Sequence, residues 1–380
     1  MERDLSARLK KIIYSILDFE KNNVVLMVAL IASIITAFFV PVDKTYISYF
    51  DFPTLACLFS TLLVICGFSN IHFFEKVSKA IVLKFKNTRN VILALVFTTY
   101  IGSMILANDM ALITFLPLGI FVMRATGKKE YLAFAFIMQN IAANLGGMVT
   151  PFGNPQNIYL FSYYNIGTLE FVKIMGPAFL LSSFLIFVCV MFVKKDALIL
   201  VDKTEYTLPK VKTVFLSLLF VVAVALVFRI VPYYYALIVV VLGMLIVDYK
   251  AFFKVNYGLL FTFFFFFVFT GNLARIESVN VFFSNLVSYN TLIVSAISCQ
   301  FISNVPTAIL FSKFTSDYAN LLVAVNIGGV GTIFASLASL ITFSQYKKEE
   351  PKKVLYYLGL FSLINILFLI ILIVFQILIS

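Results

Sequence analysis

The stretch that can do chemistry runs from Asn144 to Asn157, NLGGMVTPFGNPQN, and it lies inside apolar sequence. Its side chains are amides and a hydroxyl, Asn144, Thr150, Asn154 and Asn157, set among Gly146, Gly147, Gly153 and two prolines. None of these is a nucleophile paired with a base. They are neutral hydrogen-bonding groups beside backbone that cannot stay helical, because proline lacks the N–H and glycine weakens the helix. Asn154 reads as an N-cap and Pro155 as the first residue of a new half-helix. Free N–H groups and a positive helix end then face an anion, with loosened carbonyls nearby for a cation. The competing reading is a helix that is merely kinked, although kinks seldom need so many breakers.

A second copy follows. Asn326-x-Gly328-Gly329-x-x-Thr332-x-Phe334 repeats Asn144-x-Gly146-Gly147-x-x-Thr150-x-Phe152 at a constant offset of 182 residues. Ser336 falls where Asn154 stands, and Ser339 where Asn157 stands. Each copy follows two apolar arms joined by a polar tip, Ala107-Asn108-Asp109 in one case and Ser303-Asn304-Val305 in the other. Thr307 lies one turn beyond the second tip. Asp109 is the sharpest candidate, because an ionisable group at membrane depth is costly and is a functional hypothesis by default. With Asn108 it is expected to cap the second arm, and it is the group expected to carry the coupling. A proton on Asp109 is one route. A sodium ion near Asn108, Asp109 and Gly147, with another near Asn304 and Gly329, is the alternative. No other cofactor is expected.

The elements that position these residues must be membrane helices. The chain of 380 residues is 62% hydrophobic and 12% charged, far from a soluble domain. Its +11 charge sits in short loops, a topology signal in place of a nucleic-acid footprint. One histidine and four scattered cysteines exclude a histidine-built metal site and a disulfide framework. The lack of paired acids leaves a membrane-embedded enzyme as the weakest class.

The expected fold class is an all-α polytopic membrane protein, an inverted repeat with two re-entrant hairpins and two broken helices in about nine spans. Residues 1–193 form the first repeat, with an amphipathic N-terminal helix over 3–19, a hairpin over 91–123 and a broken helix over 131–161. Residues 194–232 supply a cytoplasmic loop and a linking span. Residues 233–380 form the second repeat, with a hairpin over 291–314 and a broken helix over 318–343. The other spans are expected over 24–40, 52–67, 171–193, 214–231, 234–247, 257–271 and 355–378. With the N-terminus cytoplasmic and the C-terminus outside, all but five of the 29 Lys and Arg fall on the cytoplasmic side. Arg229 and Lys173, near span ends, are expected to snorkel.

The stretches LANDMALITFLPLGIFVM, ANLGGMVTPFGNPQN, ISNVPTAILF and NIGGVGTIFASLASLI resemble the ion transporter superfamily. That superfamily holds arsenical pump membrane proteins, citrate transporter-like permeases and divalent anion/sodium symporters. The resemblance implies a scaffold domain and a transport domain moving elevator-fashion, often in a homodimer. Sodium/dicarboxylate members carry Ser-Asn-Thr at both tips; the tips here look more like the arsenical-pump branch. The Thr-Pro-Phe-Gly-Asn-Pro-Gln-Asn break looks like that of small citrate-like or anion permeases. The expected activity is secondary transport of a small anion or oxyanion across a prokaryotic cytoplasmic membrane, coupled to protons or sodium. Arsenite-type efflux or cation/proton antiport using Asp109 is the alternative.

Overall fold

The computed structural model describes residues 24–82, 84–197 and 207–379. The expected N-terminal amphipathic helix and the middle of the 194–212 loop lie outside the described residues. The rest is helix and short 3-10 turns, with no strand among the described residues. The chain divides into two compact units, residues 1–51 with 256–282, and residues 52–255 with 283–380.

In the first unit, α1 (Val24–Ala37) packs against α11 (Tyr257–Arg275). A 3-10 turn, Lys44–Tyr49, closes over their contact and is capped by Asp43. The Tyr49 ring lies so near Gly271 that a Cβ there would come within 2.4 Å of it. Buried polar groups are paired in a chain: Tyr49 donates to Asn272 Oδ1 at 3.2 Å, and Asn272 donates to Thr36 Oγ1 at 3.3 Å. Arg275 meets both oxygens of Asp43, at 3.2 and 2.7 Å. This guanidinium, helped by Thr45, holds the Asp43 carboxyl down to about 2.

The second unit carries everything the motifs pointed to. Its elements are α2 (Phe52–Asn70), α3 (Phe73–Val82), α4 (Thr88–Ser103), α5 (Asn108–Ala125), α6 (Leu132–Gly146), α7 (Pro155–Tyr163), α8 (Thr168–Met191), α9 (Lys210–Val227) and α10 (Tyr233–Asp248). After α12 (Glu277–Tyr289), which begins in the first unit, come α13 (Thr291–Ile302), α14 (Asn304–Phe311), α15 (Tyr318–Ile327), α16 (Leu337–Glu349) and α17 (Val354–Ile379). Arms α4 and α5 form one helical hairpin, and α13 and α14 the other. The broken helices are α6 with α7, and α15 with α16.

Seven helices among the described residues are long and apolar enough to cross a membrane, or eight if α12 and α13, which meet at 115°, count as one. The sequence expectation of about nine included two that fall short here. One is the described part of the first span, α1. The other is α15, which stops at Ile327 because Gly328 caps it and the break follows. Burial separates core from periphery. The apolar window over Lys129–Val149 is 89% buried, whereas that of Pro351–Ile379 is 22% buried, so α17 lies at the periphery.

The two sets of hairpin and broken helix are interleaved. The second part of the first broken helix, α7, packs on α14 of the second hairpin, and α16 of the second broken helix packs on α5 of the first hairpin. Tyr159 and Ser312 share a hydrogen bond of 2.6 Å across the first pairing, where Tyr164 also donates to Thr315 O at 2.7 Å. Arg124 and Glu349 form an ion pair across the second. Arg229, just past the end of α9, is exposed. Its guanidinium donates to Asn165 Oδ1 and Ile166 O and lies 4.5 Å from the centre of the Phe161 ring. The turn after α7 offers acceptors and an aromatic face within reach, which is what an arginine fork fits best.

Candidate functional site

The two breaks are built alike. Helix α6 ends at Gly146 with Gly147 as its C-cap, and α15 ends at Ile327 with Gly328 as its C-cap. The chain then runs irregularly to an extended residue that opens the next half-helix. That residue is Asn154 (φ −135°) before Pro155 in the first break, and Ser336 (φ −149°) before Leu337 in the second. Gly331 sits at φ +125°, a conformation only glycine adopts without strain.

The caps differ from expectation in one respect. Ser336 Oγ accepts from Ser339 N at 3.2 Å, as an N-cap should, but Asn154 caps nothing with its side chain. Its Nδ2 instead donates to Asn144 O at 3.2 Å and to Asn326 Oδ1 at 3.0 Å. Pro155 fits the first helical position without help from the cap side chain, and the Asn154 amide is spent on the bond to Asn326.

The first hairpin's tip also shifts. Asn108 and Asp109 were expected to cap the second arm, yet α5 begins at Asn108 with Ala107 as its N-cap, so Asp109 stands in the first turn. Asn108 Oδ1 accepts from Asp109 N at 2.9 Å, and its Nδ2 reaches Asn144 Oδ1 at 3.2 Å. At the second tip, Asn304 Oδ1 accepts from Val305 N at 2.9 Å, the same local bond. Asn304 N donates to Ala335 O at 3.0 Å, tying that tip to the second break. Ser303 holds φ +74° and ψ 159°, a region costing a non-glycine residue about 1–3 kcal/mol. Its hydroxyl donates to Ala335 O at 3.3 Å. Thr307 spends its hydroxyl on Ser303 O, 2.7 Å away within the first turn of α14.

Tips and breaks meet. A Cβ placed on Gly329 would lie 3.0 Å from Asn304 Nδ2 and 3.3 Å from Asn144 Oδ1, so one glycine touches the second tip and the first broken helix at once. Asn144 is in turn the partner of Asn108 on the first tip. In each half, the break's threonine donates to a carbonyl four residues ahead of the tip asparagine. Thr150 donates to Met104 O at 2.6 Å, and Thr332 to Gln300 O at 2.8 Å. Ser339 accepts from Asn140 Nδ2 at 3.3 Å and shares a 3.0 Å bond with Ser336. Gly153 lies against Gly147, where its Cβ would meet Gly147 O at 2.3 Å.

Four amides form a directed relay. Asn157 Nδ2 donates to three carbonyls freed by the first break, Gly147 O at 3.2 Å, Met148 O at 3.3 Å and Thr150 O at 3.0 Å. Only a nitrogen can face three carbonyls, so Asn157 Oδ1 must point the other way. It accepts from Asn326 Nδ2 at 2.6 Å, and that nitrogen also donates to Leu322 O at 2.8 Å. Asn326 Oδ1 then accepts from both Asn154 Nδ2 and Gln156 Nε2, the latter at 3.3 Å. The carbonyls expected to stand loose for a cation are thus already engaged by amide nitrogens, each keeping its second lone pair.

Sequence reasoning missed Gln156 and Gln300. Gln156 lies inside the quoted motif, but its counterpart in the repeat is Ala338, so the repeat gave it no weight. Gln300 sits in an apolar arm and staples the second break, donating to Gly328 O at 3.0 Å and Val330 O at 3.2 Å and accepting from Thr332 N at 2.8 Å.

Among the described residues, no lysine or arginine joins this network of hydrogen bonds. Asp109 is 7% exposed, makes no salt bridge among the described residues, and leaves Oδ1 without a partner. Asn154 Oδ1, Gln156 Oε1 and Asn304 Nδ2 are likewise buried and unpartnered. A bare charge buried there is expensive unless a proton or a cation neutralises it.

Hairpins and broken helices around a buried polar centre, within a bundle of membrane-spanning helices, define a multi-pass membrane transporter. The solved YdaH transporter of Alcanivorax borkumensis has the same fold, with a TM-score of 0.55 over 88% of this chain and 87% of that one, at 11% identity. The chain belongs to the citrate transporter family (CitMHS), whose match spans residues 16–320. It is 33% identical over 296 residues to an uncharacterized transporter of Methanocaldococcus jannaschii, MJ0456, covering 77% of this chain and 80% of that one. It is 28% identical over 312 residues to the inner membrane protein YbiR of Escherichia coli, covering 80% and 83%. Membership implies a small-molecule or ion substrate and a bilayer as surroundings.

Proposed function

We propose that this protein is a secondary active transporter that moves a small anion or oxyanion across a prokaryotic cytoplasmic membrane, driven by a proton or sodium gradient. The observation that carries the reading is the convergence of both hairpin tips and both breaks on one buried network, from Asn108 through Asn144 and Gly329 to Asn304. The twin threonine contacts and twin tip bonds support an inverted repeat, with residues 1–193 and 233–380 as its halves and 194–232 between them. The helix starts at Asn108, Pro155, Asn304 and Leu337 supply positive ends for an anion in place of basic side chains. Asp109 carries the coupling, by its proton or by a sodium ion near Asn108, Asp109 and Gly147, with a second near Asn304 and Gly329. The hairpins re-enter from opposite sides, the N-terminus is cytoplasmic and the C-terminus outside, a layout that the charge bias supports. The hairpins and broken helices travel elevator-fashion within a homodimer.

The unpaired Asp109 oxygen favours one second reading, cation/proton antiport or arsenite-type efflux, in which the carboxyl is the exchange site itself. Uptake into proteoliposomes separates the two. Under an imposed proton or sodium gradient, labelled anion accumulates if the first reading holds, and counterflow of labelled substrate marks a carrier rather than a pore. Gradient-driven cation exchange with no anion flux refutes it.

A further inference from the structure

We infer that the groove between α3 and the first hairpin binds an anionic phospholipid, with one acyl chain in the groove and the headgroup phosphate among the lysines at its end. The inference rests on the membrane setting of the chain and not on the substrate site. Leu93, Phe97 and Ile101 stand four apart on α4 and so share one helix face, which forms one wall of the groove. Phe74 and Val77 of α3 form the other. Phe115 of α5 supplies the floor. Its ring lies so near Gly102 that a Cβ there would come within 2.3 Å of it. The groove holds about 510 Å³, a volume within the range of ligand pockets, and of its lining side chains only Thr98 is polar.

Shape and charge both point to a lipid. Leu93 to Ile101 covers about 12 Å of helix at about 1.5 Å per residue. Ile105, just past α4, extends the lining towards the hairpin tip, so its length is close to one leaflet, half of a hydrocarbon core of about 30 Å. An extended peptide laid there would leave backbone groups unpaired in hydrocarbon, whereas an acyl chain has none to pair. The charge lies at the other end, where α4 begins. Phe85 lines the groove between Lys84 and Lys86, and Val77 lines it beside Lys76; all three lysines are exposed. Arg89 Nε donates to Val193 O at 2.7 Å, and Thr88 N to Asp196 O at 2.9 Å. These bonds bring the exposed Lys194 and Lys195 to the same end. Asp196 is already paired with Lys128 at 2.6 Å. In sequence, residues 73–89 carry five basic side chains against one acid, Glu75. Basic clusters beside a membrane attract anionic headgroups.

The test melts full-length protein, purified and stripped of lipid in a neutral detergent, over a range of phosphatidylglycerol or of phosphatidylcholine with the same chains. The apparent dissociation constant follows from the stabilisation. The expected result is that phosphatidylglycerol binds at least about tenfold more tightly, a difference of about 1.4 kcal/mol. Lys84→Gln with Lys86→Gln cuts that preference to about threefold or less, roughly half of it in free energy. Lys347→Gln with Lys348→Gln removes the same charge from the last turn of α16, which lines no part of the groove, and keeps the preference. Ile101→Trp, at a side chain 56% exposed, fills the groove and abolishes stabilisation by either lipid. Four results overturn the inference: equal binding of the two lipids, an unchanged preference without Lys84 and Lys86, an equal loss in the Lys347 and Lys348 control, or wild-type binding by Ile101→Trp. The lysine variants change only exposed side chains, so if Ile101→Trp fails to fold, they and the wild-type ratio remain decisive.

Discussion

Gly329→Ala is the smallest change that should stop the machinery. The added methyl would lie 3.0 Å from Asn304 Nδ2, 3.2 Å from Asn326 O and 3.3 Å from Asn144 Oδ1. None of the three yields readily. Asn326 O is backbone, Asn144 is held by its donation to Asn140 O at 3.0 Å, and Asn304 is held by Val305 N at 2.9 Å. Overpacking of this kind costs about 1–3 kcal/mol, which, falling on the closed site at about 1.4 kcal/mol per factor of ten, slows exchange by roughly 5- to 140-fold. Gly176→Ala is the matched control, since nothing lies within 4 Å of a Cβ there and alanine favours the interior of α8. Counterflow in proteoliposomes reads the rate and thermal melting reads the fold. We expect Gly176→Ala to exchange at the wild-type rate, and Gly329→Ala to lose exchange while still melting cooperatively. Wild-type exchange by Gly329→Ala would mean that the tips and breaks do not close on one another during transport, and the site would have to be abandoned.

Asp109→Asn keeps the size of the side chain but cannot titrate, so it should retain exchange and lose gradient-driven accumulation; accumulation equal to wild type would move the coupling elsewhere. Ser303→Gly should melt no lower than wild type, because relief of φ +74° offsets the lost 3.3 Å bond to Ala335 O, whereas Ser303→Ala keeps the strain and should melt lower. Arg229→Lys cannot serve both Asn165 and Ile166 with a fork and should lower stability by about 1 kcal/mol, measured by melting. The Asp43 carboxyl, held at about 2 when folded against an ordinary 3.8, contributes stability that is complete above about pH 4. That contribution fades as pH falls towards 2, so the melting temperature of wild type should drop over that range more steeply than that of Asp43→Asn.

The breaks were legible because they violate a local rule that everything around them obeys. Two prolines and three glycines within apolar sequence cannot be continuous helix, and the ends of α6, α7 and α15 fall where those residues stand. Position along the chain was legible; direction of side chains was not. Asn154 reads as a cap by type and place, yet what its amide does depends on Asn326, 172 residues away, which no local pattern encodes. Asp109 suffered the same shift by one residue, because whether Ala107 or Asn108 ends the turn depends on Asn108 being drawn to Asn144.

The two missed glutamines mark where reasoning from repeats stops. A repeat finds residues that both halves keep, and Asn144 with Asn326, Thr150 with Thr332 and Asn108 with Asn304 were found on that ground. Holding an irregular stretch of backbone, however, requires only that its carbonyls meet donors, not that the donor come from the same place. In the first break the donor is Asn157, on the broken helix itself; in the second it is Gln300, on the hairpin. Once Gln300 serves the second break, Ser339 in the position of Asn157 is free to bond Asn140 and Ser336. The first half, served from within its own helix, has Met104 where the second has Gln300, and only Met104's carbonyl is used by Thr150. For holding the break's carbonyls, therefore, the two copies share a requirement and not a residue. Gln156 follows from the same asymmetry. It has a partner only because Asn157 has turned Asn326 towards it, and it faces Ala338 across the repeat, where no such relay runs.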